Sequence, residues 1–294
     1  MLNISFAWWN TSLSPSAKPR ANDAERQIAI AVICFLLFEE EIDFLALGEM
    51  SEEDILVLRQ LNDLDDYMIE SGVSKTGRVT FDTCFIYRPD KIAINNPIEE
   101  IDTGRRDKHL KIAQKLVLKV DTLEQPFYLF VSHWSSRLWC HENGADRHLL
   151  GIRLRDAIDD IYAADESEPF VILLGDYNDE PFDVSLAQQL MATRDKALVK
   201  RKKNLLYNPF WRHLTYPDTN LSYAGTYYYK SGSITKWHTF DQIIVSSAFL
   251  NGNEWLLNEM VTGIVYIPEY LQQVKNRNAI FDHLPVKTTI EKVR

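Results

Sequence analysis

The chain has 294 residues, 46% hydrophobic and 25% charged, with seven Trp, 13 Tyr and 14 Phe, enough apolar material for a large buried core. This composition excludes a disordered or fibrous chain, and no long stretch is dominated by Gly, Ser or Pro, so one domain over residues 1–294 is expected. A formal net charge of −10 argues against a protein that grips nucleic acid mainly by charge, but not against an enzyme whose carboxylates are balanced by metal ions.

Cys34, Cys84 and Cys140 are odd in number and widely spaced, which implies no disulfide framework and matches no zinc site. The first residues lack the basic and apolar regions of a signal peptide. The longest apolar run, residues 28–38, is too short for a membrane span and is followed by Glu39-Glu40-Glu41. A cytoplasmic location is the expectation, and the sequence carries no signal of oligomeric state.

In chain order, residues 4–10 read as an opening strand that ends on Asn10, followed by a Ser/Pro-rich loop to Pro19. Asn22 or Asp23 can cap a buried helix through about Phe38, with Glu25 suited to its first turn. Residues 42–47 form a second strand that delivers Gly48 and Glu49 to its end, and a helix starts at Ser51. From Arg78 the pattern changes to strands over residues 79–88, 91–95 and 110–120, with short polar turns between them, as in an antiparallel meander. Residues 125–131 make another strand, leading into Ser132-His133-Trp134-Ser135-Ser136-Arg137. A helix over residues 145–164 carries Leu149, Ile152, Ile158 and Ile161 at helical spacing.

Residues 171–182 carry the densest local signal. Four apolar residues run straight into Gly175-Asp176-Tyr177-Asn178, and Pro181 stops the strand. Asp176 and Asn178 lie two apart, so an extended backbone points both to one side. The pair suits a catalytic acid and amide at a strand end; an Asx-turn closing the strand accounts for it equally well. Lys196, Lys200, Arg201, Lys202 and Lys203 form the one dense basic patch, read as a solvated loop, with contact to substrate phosphates as its rival. Residues 221–229 are aromatic and strand-like. Phe240 to Ser246 reads as a strand with Asp241 at its start, and Asp282-His283-Leu284-Pro285 precedes a closing strand.

Singly, each of these residues has a bland explanation. Together, Trp9-Asn10, Leu47-Gly48-Glu49, His133-Trp134-Ser135-Ser136-Arg137, Gly175-Asp176-Tyr177-Asn178, Phe240-Asp241 and Asp282-His283-Leu284-Pro285 form an ordered series. The series resembles the endonuclease/exonuclease/phosphatase superfamily, which has the DNase I fold, and it covers nearly the whole chain. The resemblance implies an α/β four-layered α/β/β/α sandwich of two packed mixed sheets. It also implies hydrolysis of a phosphate ester with Mg2+, for which Mn2+ can substitute. By resemblance Glu49 is the principal metal carboxylate, with Asn10 and Asp282 supporting the metal or substrate. Asp176 orients or activates water, and Asn178 holds phosphate or water. His283 contacts the scissile phosphate with Asp241 fixing its ring, and His133 is the second active-site histidine. Arg137 and Trp134 fall where substrate contacts are expected.

These residue types suit the chemistry without the family. Magnesium takes hard oxygen ligands, and histidine N–H groups and amides stabilise charge on phosphoryl oxygens. Two departures stand out: Gly48 replaces the family's usual Gln before the metal Glu, and Gln242 follows Asp241 where His or Tyr is common. For the family's mid-chain Tyr or Arg, Arg78, Arg105 and Arg106 are candidates by position only. His109, His141, His148, His213 and His238 match no motif and read as structural or surface residues. The expected function is a metal-dependent phosphodiesterase acting on DNA or RNA, with Trp134, Trp139 and Trp211 available to stack on bases. The alternative is an enzyme for a small phosphate ester such as a nucleotide, phosphoinositide or phospholipid head group. An inactive binding module ranks last, because every recognised core residue is present.

Overall fold

Ile4, Phe6 and Trp8 alternate with Ala7 and Trp9 along Asn3–Asn10, and all five are fully buried. A strand apolar on both faces must lie inside a covered sheet, and the computed structural model places it there. It describes residues 2–15, 20–76, 79–105, 108–120, 125–164, 168–216, 222–252 and 254–293.

Among those residues one sheet has six strands and a second has eight. In the first, Asn3–Asn10 pairs parallel with Phe44–Gly48 and antiparallel with Val286–Lys292. In the second, Phe170–Asp176 pairs parallel with Phe127–His133 and antiparallel with Asp241–Ser246. Parallel neighbours need a crossover; the helices Asp23–Cys34 and Ala145–Ala164 lie in those two connections.

Three hydrophobic clusters fill the gaps between four layers. Phe6, Trp8 and Phe44 of the first sheet meet Leu129, Ile172 and Ile243 of the second in the central one. Ala7, Trp9 and Leu45 pack on Ala29, Val32 and Ile33 of the first helix, and Val171 and Leu173 pack on Leu150, Leu154 and Ile158 of the long helix. The expected four-layered sandwich of two mixed sheets is therefore the observed one.

Local signals were largely sufficient. Asn22 accepts from the Glu25 amide while the Glu25 side chain accepts from the Asn22 amide, a capping box. The long helix has the expected bounds, although it buries Leu150 and Leu154 rather than Ile152, which is exposed. Residues 79–88 are a different matter. They form two strands, Val79–Phe81 and Cys84–Tyr87, broken at Asp82-Thr83. The meander also divides: Cys84–Tyr87 joins the first sheet, and Lys108–Val120 the second. Met68–Ser71, Glu99–Arg105, Trp255–Ile264 and the helix Pro268–Lys275 were not anticipated. Within residues 221–229 only Tyr227–Tyr228 is strand, and Leu221 lies outside the described residues.

Gly151 lies where the long helix meets the turn Ser185–Gln189, and a Cβ there would stand 2.1 Å from the Ser185 carbonyl oxygen. Alanine gains about 1 kcal/mol of helix propensity, but a backbone collision in a packed core costs about 1–3 kcal/mol and should win. Gly151→Ala is expected to lower the urea midpoint; a higher midpoint would show that the two elements separate at little cost.

Candidate active site

Strand register gathers the site. Asn10 stands beside Gly48 in the first sheet, while His133, Asp176 and Asp241 form one row across the second. Asp282 and His283 lie just before Val286, which pairs with Trp8. All of these ends open onto one cavity of about 510 Å³, lined by Asn10, Glu49, Asp82, Lys111, His133, Asp176, Asn178, Tyr227, Asp282 and His283 among others.

His283 is buried, with Nδ1 2.8 Å from Asp241 Oδ2. Its Nε2 lies 3.7 Å from Asp176 Oδ2 and 3.9 Å from Asp282 Oδ1. Burial alone would lower its pKa, but Asp241 and then Asp176 outweigh it and push the imidazole up to about 10. The ring is therefore an imidazolium at neutral pH, with Nε2–H available to the cavity. Trp8 Nε1 donates to the other oxygen of Asp241 at 2.8 Å, and the Asp241 amide donates to Thr226 Oγ1. Tyr227 packs on the His283 ring at 4.7 Å, and burial pushes its phenol up so that it stays neutral.

A second acid–histidine pair faces the first. His133 Nδ1 lies 3.0 Å from Asp82 Oδ1, the same oxygen that accepts from Lys111 Nζ at 2.6 Å. Burial lowers the His133 pKa and Asp82 raises it, with a net rise. Burial would raise the Asp82 carboxyl, yet His133 and Lys111 hold it far below the usual carboxylate range. Asp82 and Lys111 carry no motif, and Asp82 lies at the break in what reads as one strand. Proximity in the folded chain identifies them.

Asp176 is aimed by its turn. Its Oδ1 accepts from the Asn178 amide at 2.8 Å and its Oδ2 from Asn10 Nδ2 at 3.4 Å. The Asx-turn is present, and it holds Asp176 on the cavity wall. Gly175 is required because a Cβ would lie 1.9 Å from the Ser132 carbonyl oxygen. Asn178 is held at φ 52°, and its Nδ2 donates to the Trp134 carbonyl, leaving one amide hydrogen for a ligand. Glu49 also has a left-handed backbone, φ 55°. Ser12 links the remaining two residues: its amide donates to Asn10 Oδ1 and its hydroxyl to Asp282 Oδ1.

A divalent cation fits these donors. Burial, and then the charges of Asp282 and Asp82, raise the Glu49 carboxyl against the lowering effect of the histidines. Among the described residues no donor hydrogen-bonds that carboxylate. Hard, crowded, unpaired oxygens are what Mg2+ takes. Asp176, Asp241 and His283 also bring ligand atoms within 4.8 Å of one another. Asp241 already holds Nδ1 of the His283 ring, whereas Glu49 has no such partner among the described residues.

Two expected substrate contacts are used elsewhere. Arg137 donates to the Asn178 carbonyl, Asp183 and Glu142 and lies over the Phe240 ring, so its guanidinium is a clamp within the protein. The Trp134 ring is fully buried against Tyr177, with Nε1 on the Ile112 carbonyl, so it offers no face for stacking. Trp211 lies beneath Arg194. In the basic patch Lys196 pairs with Glu259, and Lys203 pairs with Glu168 just before Phe170, at the end of that strand opposite Asp176. Arg78 and Arg106 lie outside the described residues, and Arg105 ends the strand Glu99–Arg105. His109, expected to be incidental, is on the cavity wall.

Both departures from the family pattern have physical reasons. A Cβ at Gly48 would lie 2.6 Å from Trp8 Cη2, so the indole that bonds Asp241 needs glycine beside it. Gln242 is buried and satisfied, donating to the Asp179 and Thr239 carbonyls and accepting from Asn208.

The second pair has a testable sign. His133 is raised above 6.5 in the fold, so its stabilisation is complete below pH 6.5 and is lost as pH rises through the folded value. Asp82→Asn leaves burial and Lys111 in place, and both depress the ring. Its pKa should fall, and the stabilisation that depends on the charged ring should be lost at a lower pH than in the wild type. Imidazole NMR titration of metal-free protein checks it; a His133 pKa unmoved by the substitution would refute the pairing.

Comparison with known proteins agrees with this fold. The description Endonuclease/Exonuclease/phosphatase family matches residues 38–291. The chain is similar to the human Nocturnin catalytic domain with bound sulfate, with 16% identity and TM-score 0.63, covering 99% of this chain and 95% of that one. It is also similar to a Bacteroides thetaiotaomicron mannosyl-6-phosphatase, with 15% identity and TM-score 0.61, covering 99% and 100%. D. rerio TDP2 complexed with a single-strand DNA product shares 18% identity and TM-score 0.57, covering 98% and 99%. No curated protein sequence matches. No helix among the described residues is long and apolar enough to cross a membrane. The chain belongs to the endonuclease/exonuclease/phosphatase family, whose members hydrolyse phosphate esters.

Proposed function

We propose that this hydrolase is a divalent-metal-dependent phosphodiesterase that cleaves nucleic acid or a nucleotide-sized fragment of it. The observation that carries this reading is the pair of acid–histidine couples, His283–Asp241 and His133–Asp82, on either side of Asp176. A phosphodiester needs charge stabilised on its non-bridging oxygens and a proton for its leaving oxygen. The His283 Nε2–H and the free amide hydrogen of Asn178 serve the former. Asp176, fixed by Asn178 and Asn10, orients the attacking water and takes its proton. His283 or His133, in its protonated form, protonates the leaving oxygen. Glu49, Asn10 and Asp282 would hold Mg2+ or Mn2+, which when bound supplies Lewis-acid stabilisation of the phosphoryl oxygens.

A second reading, a small phosphate ester, is favoured by the basic patch lying away from the cavity and by the net charge of −10. A long polyanion would find few cations along its path. The nucleic-acid reading is kept because the product-bound TDP2 structure shares the fold. A panel of single-stranded DNA, duplex DNA, RNA, inositol phosphates and phospholipids with Mg2+ or Mn2+ separates the two. Asp176→Asn and His283→Ala should each lower kcat on the order of 10²- to 10⁴-fold. Wild-type rates in both variants would overturn the site assignment, and no hydrolysis of any ester would overturn the function.

Metal binding can be read without turnover. Mg2+ at 100 times its Kd should stabilise the fold by about 2.7 kcal/mol, a rise in Tm of several degrees. Glu49→Gln should lose that rise. An equal rise in both proteins would place the ion elsewhere.

A further inference from the structure

Of the seven tryptophans, Trp139 alone is exposed: Trp8, Trp9, Trp134 and Trp255 are fully buried, and Trp211 and Trp237 are half-buried. Trp139 is 72% exposed and its neighbour Leu138 is 81% exposed, and both line the rim of the catalytic cavity. The Trp139 ring makes no ring contact among the described residues. Large apolar side chains held in water at a cavity mouth are unfavourable unless something covers them.

The backbone beneath them is not loose. Arg147, almost wholly buried, donates to the Ser135 and Cys140 carbonyls at 2.8 and 2.6 Å and to the Tyr177 carbonyl. Arg137 ties the same segment to the Asn178 carbonyl and Asp183. The Trp139 and Cys140 amides both donate to the Ser136 carbonyl. Residues 135–140 are thus fastened at both ends to the turn that aims Asp176. The backbone that carries the two apolar side chains is therefore held beside the turn of Asp176.

We propose that Trp139, flanked by Leu138, is a stacking platform for a planar ring attached to the scissile phosphate, specifically a nucleobase of a short substrate or strand end. This rests on the phosphodiesterase reading and narrows it. The cavity floor is polar and ionic, suited to phosphate and cation, while its rim offers an aromatic face with no side-chain acid or base paired to it. A π-face accepts any base without hydrogen-bond readout. The protein's net negative charge and distant basic patch leave stacking, rather than phosphate contacts along a strand, to hold the rest of the substrate.

The test compares kcat/KM for thymidylyl-(3′→5′)-thymidine with that for its analogue lacking both bases. In Trp139→Ala the ratio of the two should fall on the order of tenfold, and Trp139→Phe should restore most of it. Met260→Ser, a control at an exposed apolar residue outside the cavity lining, should leave the ratio alone. An unchanged ratio in Trp139→Ala overturns the proposal, as does Trp139-dependent binding to phosphatidylcholine vesicles without a change in that ratio. Calorimetry of thymidine 5′-monophosphate against deoxyribose 5-phosphate, with Mg2+, reads stacking without turnover. If neither ester is hydrolysed, the phosphodiesterase reading fails, and a thymine preference lost in Trp139→Ala would still support the platform.

Discussion

The hydrogen bond from Trp8 Nε1 to Asp241 Oδ1 joins the two sheets where both are fully buried. A lone carboxylate at the interface of two apolar sheets would be costly, because burial raises the Asp241 pKa. Two partners offset that cost: the indole N–H from the first sheet and the His283 imidazolium from the strand-end turn. The chain of Trp8, Asp241 and His283 therefore fixes the histidine and also registers the sheets against each other. Gly48 follows from this, since the indole reaches Asp241 only across a residue without a side chain. Glu49 follows in turn, delivered by the strand that ends on Gly48.

The sandwich was legible because its two parallel pairs are announced by apolar runs, each ending in a polar residue and followed by a helix. The acids and histidines of the first pair were legible because they occur in short motifs at strand ends. Asp82 was not, since Val79, Phe81, Phe85 and Tyr87 read as one continuous strand, and a break within it is set by tertiary contacts. Lys111 was equally silent, one of several lysines along a long strand until the fold brings it to Asp82. Ser12 and Tyr227 act by approach, too, from a loop and a two-residue strand. Conversely, Arg137 and Trp134 sit inside a recognisable motif but serve the scaffold. Motif membership identifies the segment; the direction of the side chain is decided by packing.

The same segment shows why clamp and platform go together. Arg137 and Arg147 give up their charge to carbonyls and to Asp179 and Asp183 beneath the loop. Burial raises Asp179 to about 7 and also raises Asp183, even with arginines beside them. Such ion pairs contribute little net stability once desolvation is counted. What they supply is position: the donors are directional, and they link residues 135–140 to the turn of Asp176 and Asn178.

The electrostatics of the cavity leave a definite remainder. Glu49, Asp82, Asp176 and Asp282 line the cavity, with Asp241 behind His283, against Lys111 and three histidines, His109, His133 and His283. Asp241 is answered by His283 and Trp8, and Asp82 by Lys111 and His133. Asp176 is held by neutral amides and by the charge of His283. Glu49 accepts no hydrogen bond among the described residues, and burial and then the charge of Asp282 raise its carboxyl; Asp282 itself accepts from the Ser12 hydroxyl and lies 3.9 Å from His283 Nε2. A substrate phosphate adds further negative charge at the same place. Binding it without a cation would set like charges together in a partly desolvated site, where such repulsion is several times larger than in water. A divalent ion bound together with the ester would offset that charge.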